Sequence, residues 1–170
     1  MSITALVVDT SYLVELFKVP KLFNPDFADR VKQRFGEAIM AGHRLYVPFP
    51  VVFEVANHIA GVPDGGSRKK LADLLADTVR RCVDSGNPWL ITPASSRDIL
   101  YDLSELLRLC DVYAREMAVQ RIGLSDTAII EEARRLKEKY NQPGDRVHIW
   151  TRDQALKAHE PDPEPEPLFS

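Results

Sequence analysis

Ile3-Thr4-Ala5-Leu6-Val7-Val8-Asp9-Thr10-Ser11-Tyr12-Leu13 is the stretch that decides the fold class. Its first six residues are mostly apolar and do not alternate, as expected of a strand whose sheet is covered on both faces. Over residues 11–19 the period changes: Tyr12, Leu13, Leu16 and Phe17 recur at helical spacing until Pro20 stops them. A buried strand running straight into a helix opens a βα unit. Asp9 stands at the junction, and open parallel sheets bind ligands just outside the carboxyl ends of their strands.

The alternation continues along the chain. After a loop over residues 20–25, residues 26–40 read as a helix with Phe27, Val31, Phe35, Ala38 and Ile39 on one face. Residues 44–48 read as a second strand, leading through Pro50 into a helix over residues 51–60, and residues 61–66 as a turn-rich break. Two long amphipathic helices are predicted next. Residues 68–84 carry Leu71, Leu74, Leu75, Val79, Cys82 and Val83 as a stripe. Residues 98–120 carry Ile99, Leu100, Leu103, Leu106, Leu107, Cys110, Ala114 and Met117. A short strand over residues 89–92 lies between them. A helix over residues 125–140, a strand over 147–150 and a short helix after Asp153 complete the pattern. The expected architecture is α/β: three layers, α/β/α, around a central, mainly parallel twisted sheet of about four to five strands.

The 170 residues, 45% hydrophobic and 28% charged, suit one ordinary domain, expected over residues 1–159. Residues 160–170 form an acidic, proline-rich tail whose alternate prolines forbid helix, so it is expected to be extended or disordered. No apolar run is long enough to span a membrane. The N-terminus lacks a secretory pattern, and Cys82 and Cys110 lie in no metal or redox spacing. A cytoplasmic protein with reduced thiols is the expectation. The net charge of −3 is no veto on a nucleic-acid partner. Without the four acids of the tail, 21 acidic residues face 22 basic ones.

Three further acids recur at the level of Asp9. Glu54 lies just past the second strand, Asp126 opens Ser125-Asp126-Thr127-Ala128-Ile129-Ile130, and Asp153 follows Val147-His148-Ile149-Trp150. Each alone has a plainer reading. Asp9, Asp126 and Asp153 suit helix starts, and Glu54 suits a polar position of an amphipathic helix. Their recurrence at one edge of one sheet is what points to a site. Gathered carboxylates repel, and protons or a cation must settle them. A hard divalent ion, Mg²⁺ or Mn²⁺, is the simplest occupant. Thr10, Ser11, Ser125 and Thr151 accompany the acids and can orient them, although ordinary capping is their other role.

On these motifs the chain resembles the PIN-domain ribonucleases, which include the VapC-like toxin nucleases. Val7-Val8-Asp9-Thr10-Ser11-Tyr12-Leu13 is similar to that family's first strand and its acid. Val52-Phe53-Glu54-Val55-Ala56-Asn57, Gly123-Leu124-Ser125-Asp126-Thr127-Ala128-Ile129-Ile130 and Thr151-Arg152-Asp153 match its later motifs in order. The chain departs from the pattern where Gln154 and Ala155 replace a further acid, and in its long middle helices and its tail. The resemblance implies a metal-dependent endoribonuclease, with Asp9, Glu54 and Asp126 as core metal ligands and Asp153 as a further one. It also implies an RNA substrate, an antitoxin protein as partner and a homodimer.

Other features are less specific. Arg68, Lys69 and Lys70, and Arg134, Arg135, Lys137 and Lys139, read as solvated helix faces, leaving Arg152 as the best candidate for a substrate phosphate. His43, His58, His148 and His159 have no zinc-ligand spacing. Two alternatives stand beside the nuclease: a silent PIN-like module binding RNA or protein, and a phospho-accepting receiver-type domain. The receiver design wants adjacent acids after the first strand and an Asp after the third, where this chain has Pro93. The haloacid-dehalogenase design wants an acid where Ser11 stands. The acidic tail, by its charge, is a candidate to cover a basic substrate path.

Overall fold

Residues Ala5 to Val8 are each at most 2% exposed, although successive strand residues face opposite sides of a sheet. Both faces of β1 (Thr4–Val8) are therefore covered, and the layers on either side are helical. The computed structural model describes residues 2–92 and 103–169. Among them one four-stranded sheet forms, with β2 (Arg44–Pro48), β3 (Leu90–Thr92) and β4 (Arg146–Trp150) in the order β3-β2-β1-β4. Every pairing is parallel, and the architecture is the expected three-layer α/β/α. The chain moves from β1 outward through β2 and β3, then returns to the other side of β1. The order thus reverses between β1 and β4, the place where open α/β sheets leave a crevice for ligands.

Asp9 caps the N-terminus of α1 (Thr10–Leu16) and Asn24 that of α2 (Pro25–Met40), with Pro25 in the first turn. α3 (Phe49–Ala60) follows β2 directly. α4 (Gly65–Ser85) begins three residues earlier than the periodicity predicts, because the Asp64 carboxylate accepts the Ser67 N–H and holds two glycines in the first turn. Only Thr78 and Cys82 of α4 are fully buried, and Val83 of its predicted stripe is 72% exposed.

The helix expected over residues 98–120 is corrected more deeply. Residues 98–102, with Ile99 and Leu100, lie outside the described residues. The rest is α5 (Leu103–Val112), a π turn (Tyr113–Met117) and a 3-10 turn (Ala118–Gln120). Its buried side chains are Leu109, Val112 and Met117, while Leu106 and Leu107 face outward. The step from Val112 to Met117 is five residues, one more than an α-helix brings round to one face, and the π turn supplies it. α6 (Leu124–Lys139) packs on β1, β2 and β4, and α7 (Gln154–Lys157) follows β4. No helix among the described residues is long and apolar enough to cross a membrane.

Of the two states expected for the tail, extended or disordered, the structure has it ordered along the free edge of β4. Asp162 Oδ2 accepts the Val147 N–H at 2.8 Å, and Glu160 Oε1 accepts the Ile149 N–H at 2.8 Å. Lys157 Nζ donates to the Ile149 carbonyl at 2.8 Å, and the Asp162 N–H to that of Val147 at 3.2 Å. Carboxylates and one ammonium stand where a fifth strand's backbone would. Lys137 pairs with Asp162, Lys157 with Glu160 and Glu164, and Arg34 with Glu164. Phe169 then packs edge-on to Tyr12, which stacks on Trp150 at 5.3 Å. Glu160, Asp162 and Glu164 are thus ion-paired along this edge.

Burial alone would raise the Glu160 carboxyl, but its bonds to His148, Lys157 and the Ile149 N–H hold it below its ordinary 4.5. Its stabilising contribution is therefore present above pH 4.5 and disappears as the pH falls through the lowered value. Glu160→Gln is expected to lose about 1.5–3 kcal/mol at pH 7, the worth of a hydrogen bond to a charged group. Thermal melts from pH 7 to pH 3 should show the two proteins converging at the acid end. Coincident melts at pH 7 would mean that this carboxylate does not hold the edge.

Candidate functional site

Asp9 leaves the sheet on a register-fixed backbone. Val8 pairs with Trp150, and the Asp9 N–H continues the ladder to the Trp150 carbonyl at 3.0 Å. The next residue on the β4 side, Thr151, is thereby brought against it. Three hydrogen bonds converge on Asp9 Oδ2: from Ser11 Oγ at 2.6 Å, Thr151 Oγ1 at 2.9 Å and the Ser11 N–H at 3.2 Å. Each hydroxyl also accepts a backbone N–H, Ser11 Oγ from Arg152 and Thr151 Oγ1 from Asp153, both at 3.0 Å. With a lone pair so occupied, each hydroxyl directs its proton to Asp9. These three bonds fix the carboxylate through Oδ2.

Glu54 comes from α3, half-buried, and its Oε2 accepts the Thr10 hydroxyl at 2.6 Å. Thr10 therefore ties α1 to α3 and orients Glu54 rather than Asp9. Asp126 stands in the first turn of α6, where its Oδ2 reaches back to the Gly123 N–H at 3.4 Å. Ser125, expected to help orient it, makes no hydrogen bond to any of the four acids. Asp153 caps α7, with Oδ1 accepting the Ala155 N–H at 2.7 Å and the Leu156 N–H at 3.2 Å. Asp9 and Glu54 line one cavity of about 450 Å³ together with Thr10, Ser11, Val14, Leu22, Asn57 and His58. Asp126 and Asp153 are not among its walls.

The four acids nevertheless share one electrostatic field. Burial pushes the Asp126 carboxyl up to about 6, reinforced by the charge of Asp9 and then by Glu54 and Asp153, against the opposing Gly123 N–H. Burial likewise raises Asp9, outweighing the bonds from Ser11 and Thr151. No described Lys, Arg or His is ion-paired with any of the four. The donor chemistry, hard oxygens in surplus negative charge, suits Mg²⁺ or Mn²⁺. Yet among the described residues no three His, Cys, Asp or Glu side chains stand close enough together to hold a metal ion. Asp153 is turned toward its own helix, whose N-terminus it caps.

Arg152, the candidate phosphate contact, is engaged with groups of the protein itself. Its Nη1 donates to Glu15 Oε1 at 2.6 Å, and its guanidinium lies over the Phe27 and Phe169 rings. Glu15 is fully buried, with Oε2 accepting the Asn24 N–H at 2.8 Å. Periodicity concealed Glu15, because its neighbours Val14 and Leu16 read as a plain apolar turn. Asn57 and His58 were equally silent in sequence, although they follow Glu54 at the three- and four-residue spacing of one helix face.

Between its ordinary 3.8 and about 6, folded Asp126 holds its proton more tightly than the unfolded chain does. Stability therefore falls as the pH rises through that window. Asp126→Asn, melted in EDTA, should exceed the wild type by a few degrees above pH 6 and lose that advantage near pH 4. Each kcal/mol of relieved repulsion is worth about 2–4 °C in a chain of this size. A variant less stable than the wild type at pH 7 would show that burial and the neighbouring acids do not penalise the Asp126 carboxylate.

In comparisons with known proteins, no family model and no curated relative matches the chain.

Proposed function

We propose that this protein is a divalent-metal-dependent endoribonuclease acting at the carboxyl edge of its sheet. One observation carries the reading: Asp9, Glu54, Asp126 and Asp153 share one field of charge at that edge, with no described Lys, Arg or His ion-paired to any of them. Three buried acids elsewhere have cationic partners: Glu15 has Arg152, Glu132 has Arg135, and Glu160 has Lys157. Several mutually coupled acids without such partners are a pattern of functional sites.

Asp9, Glu54 and Asp126 would hold the cation, with Asp153 as a further ligand. When bound, Mg²⁺ or Mn²⁺ supplies Lewis acidity toward a phosphodiester and offsets the charge of its oxygens. The protein's own groups do the rest. Ser11 and Thr151 fix the rotamer of Asp9, and Thr10 fixes that of Glu54, so that neither carboxylate has to be ordered when substrate arrives. The acid edge repels an RNA phosphate until a cation is present, which makes substrate binding conditional on the metal.

A catalytically silent RNA-binding module is the second reading. It is favoured by the absence, among the described residues, of three ligating side chains in metal-holding proximity. One experiment separates the two. Labelled mixed-sequence RNA is incubated with the full chain in Mg²⁺, in Mn²⁺ and in EDTA, beside Asp9→Asn and Asp126→Asn. The expected result is metal-dependent cleavage that falls to the EDTA background in both variants, and about 10–100-fold weaker cleavage or metal affinity in Ser11→Ala. Cleavage that persists in both aspartate variants would end the nuclease reading of this site. Retained RNA without cleavage in any metal would establish the binding module.

A further inference from the structure

The cavity beside Asp9 and Glu54 is lined by two chemically different kinds of group. Among the described residues its lining includes no Lys or Arg, so no described cation there attracts a bare anion. Besides the carboxylates, the buried Val14 and the exposed Leu22 supply an apolar wall. On α3, three and four residues beyond Glu54, stand Asn57 and His58. Both are exposed, and neither side chain makes a hydrogen bond to another described residue. A free amide offers a donor and an acceptor side by side, and the imidazole adds a further polar group.

We propose that this cavity is a subsite for one unpaired nucleobase, read at its edge by Asn57 and His58 and seated against Val14 and Leu22. The proposal rests on the ribonuclease reading for its choice of ligand and adds to it the residues that set sequence preference. The volume of about 450 Å³ lies within the range of about 300–1,000 Å³ typical of small-ligand sites and admits a single nucleotide. A base stacked and paired within a helix cannot enter it, whereas a splayed base presents both a face for the apolar wall and an edge for the amide. The adjacent carboxylates then lie where the backbone of that nucleotide continues.

The probes are adenosine, cytidine, guanosine and uridine, which carry no phosphate, need no metal and offer no bond to cleave. Each is titrated into the full chain in EDTA while the Asn57 side-chain amide and the His58 ring are followed by NMR. Saturable shifts at both groups are expected, with at least about a fivefold spread in Kd among the four, the low end of what one bidentate amide contact discriminates. Asn57→Ala should flatten that spread while leaving the melting temperature unchanged, since its side chain is exposed. Absence of saturable shifts, or an equal spread in Asn57→Ala, overturns the subsite. Metal-dependent cleavage together with no nucleoside binding would overturn the subsite alone. Nucleoside discrimination without cleavage would support the subsite and remove the nuclease.

Discussion

The parallel pairing of β1 with β4, in the register that sets Val8 against Trp150, is the constraint from which the rest of the site follows. Because the ladder runs on to the Asp9 N–H, Thr151 falls beside the Asp9 carboxylate and the Arg152 N–H falls on Ser11 Oγ. The same register places Tyr12 of α1 on the Trp150 ring. A slip of one residue would reverse every side chain of β4 and undo the hydroxyl contacts and the aromatic stack together. Fold stability and site geometry therefore share one set of bonds.

Charge works in the opposite direction. Asp9 is nearly buried and receives three hydrogen bonds, yet burial still raises its carboxyl above the ordinary range. Asp126 is raised by its own burial and by the other acids. A chain selected only for stability would place a lysine or arginine there, as this one does for Glu15 and Glu160. Leaving the acids uncompensated costs some stability, and under the proposed function that uncompensated charge is what would hold an external cation, a common exchange at functional positions.

The outer edge of the sheet is closed by a different device. An exposed parallel strand presents unpaired N–H and C=O groups that invite another chain. Here Glu160 and Asp162, spaced two apart, match the two-residue period of the outward N–H groups on β4, at Val147 and Ile149. Alternate prolines keep that segment extended, and the acids between them serve as acceptors. The feature that reads as disorder in isolation is a complement to a strand edge lying more than ten residues away.

Much of this was written in the sequence. The apolar run before Asp9, the helical spacing after it and the repeated strand–helix alternation are local patterns, and local physics settles them: hence the α/β class, the four strands and the level at which each acid emerges. The caps at Asp9 and Asp153 were legible for the same reason. The π turn was not, because which face of residues 103–120 is buried depends on what packs against it. Nor was the partner of Arg152, since Glu15 lies 137 residues away in sequence and meets it only through the β1–β4 register. The tail's docking, the tie of Thr10 to Glu54 and the placing of Asn57 and His58 in one cavity belong to the same class. Sequence specifies periodicity and chemistry along the chain; distances between side chains on different elements arise only when the sheet order and register bring those elements together.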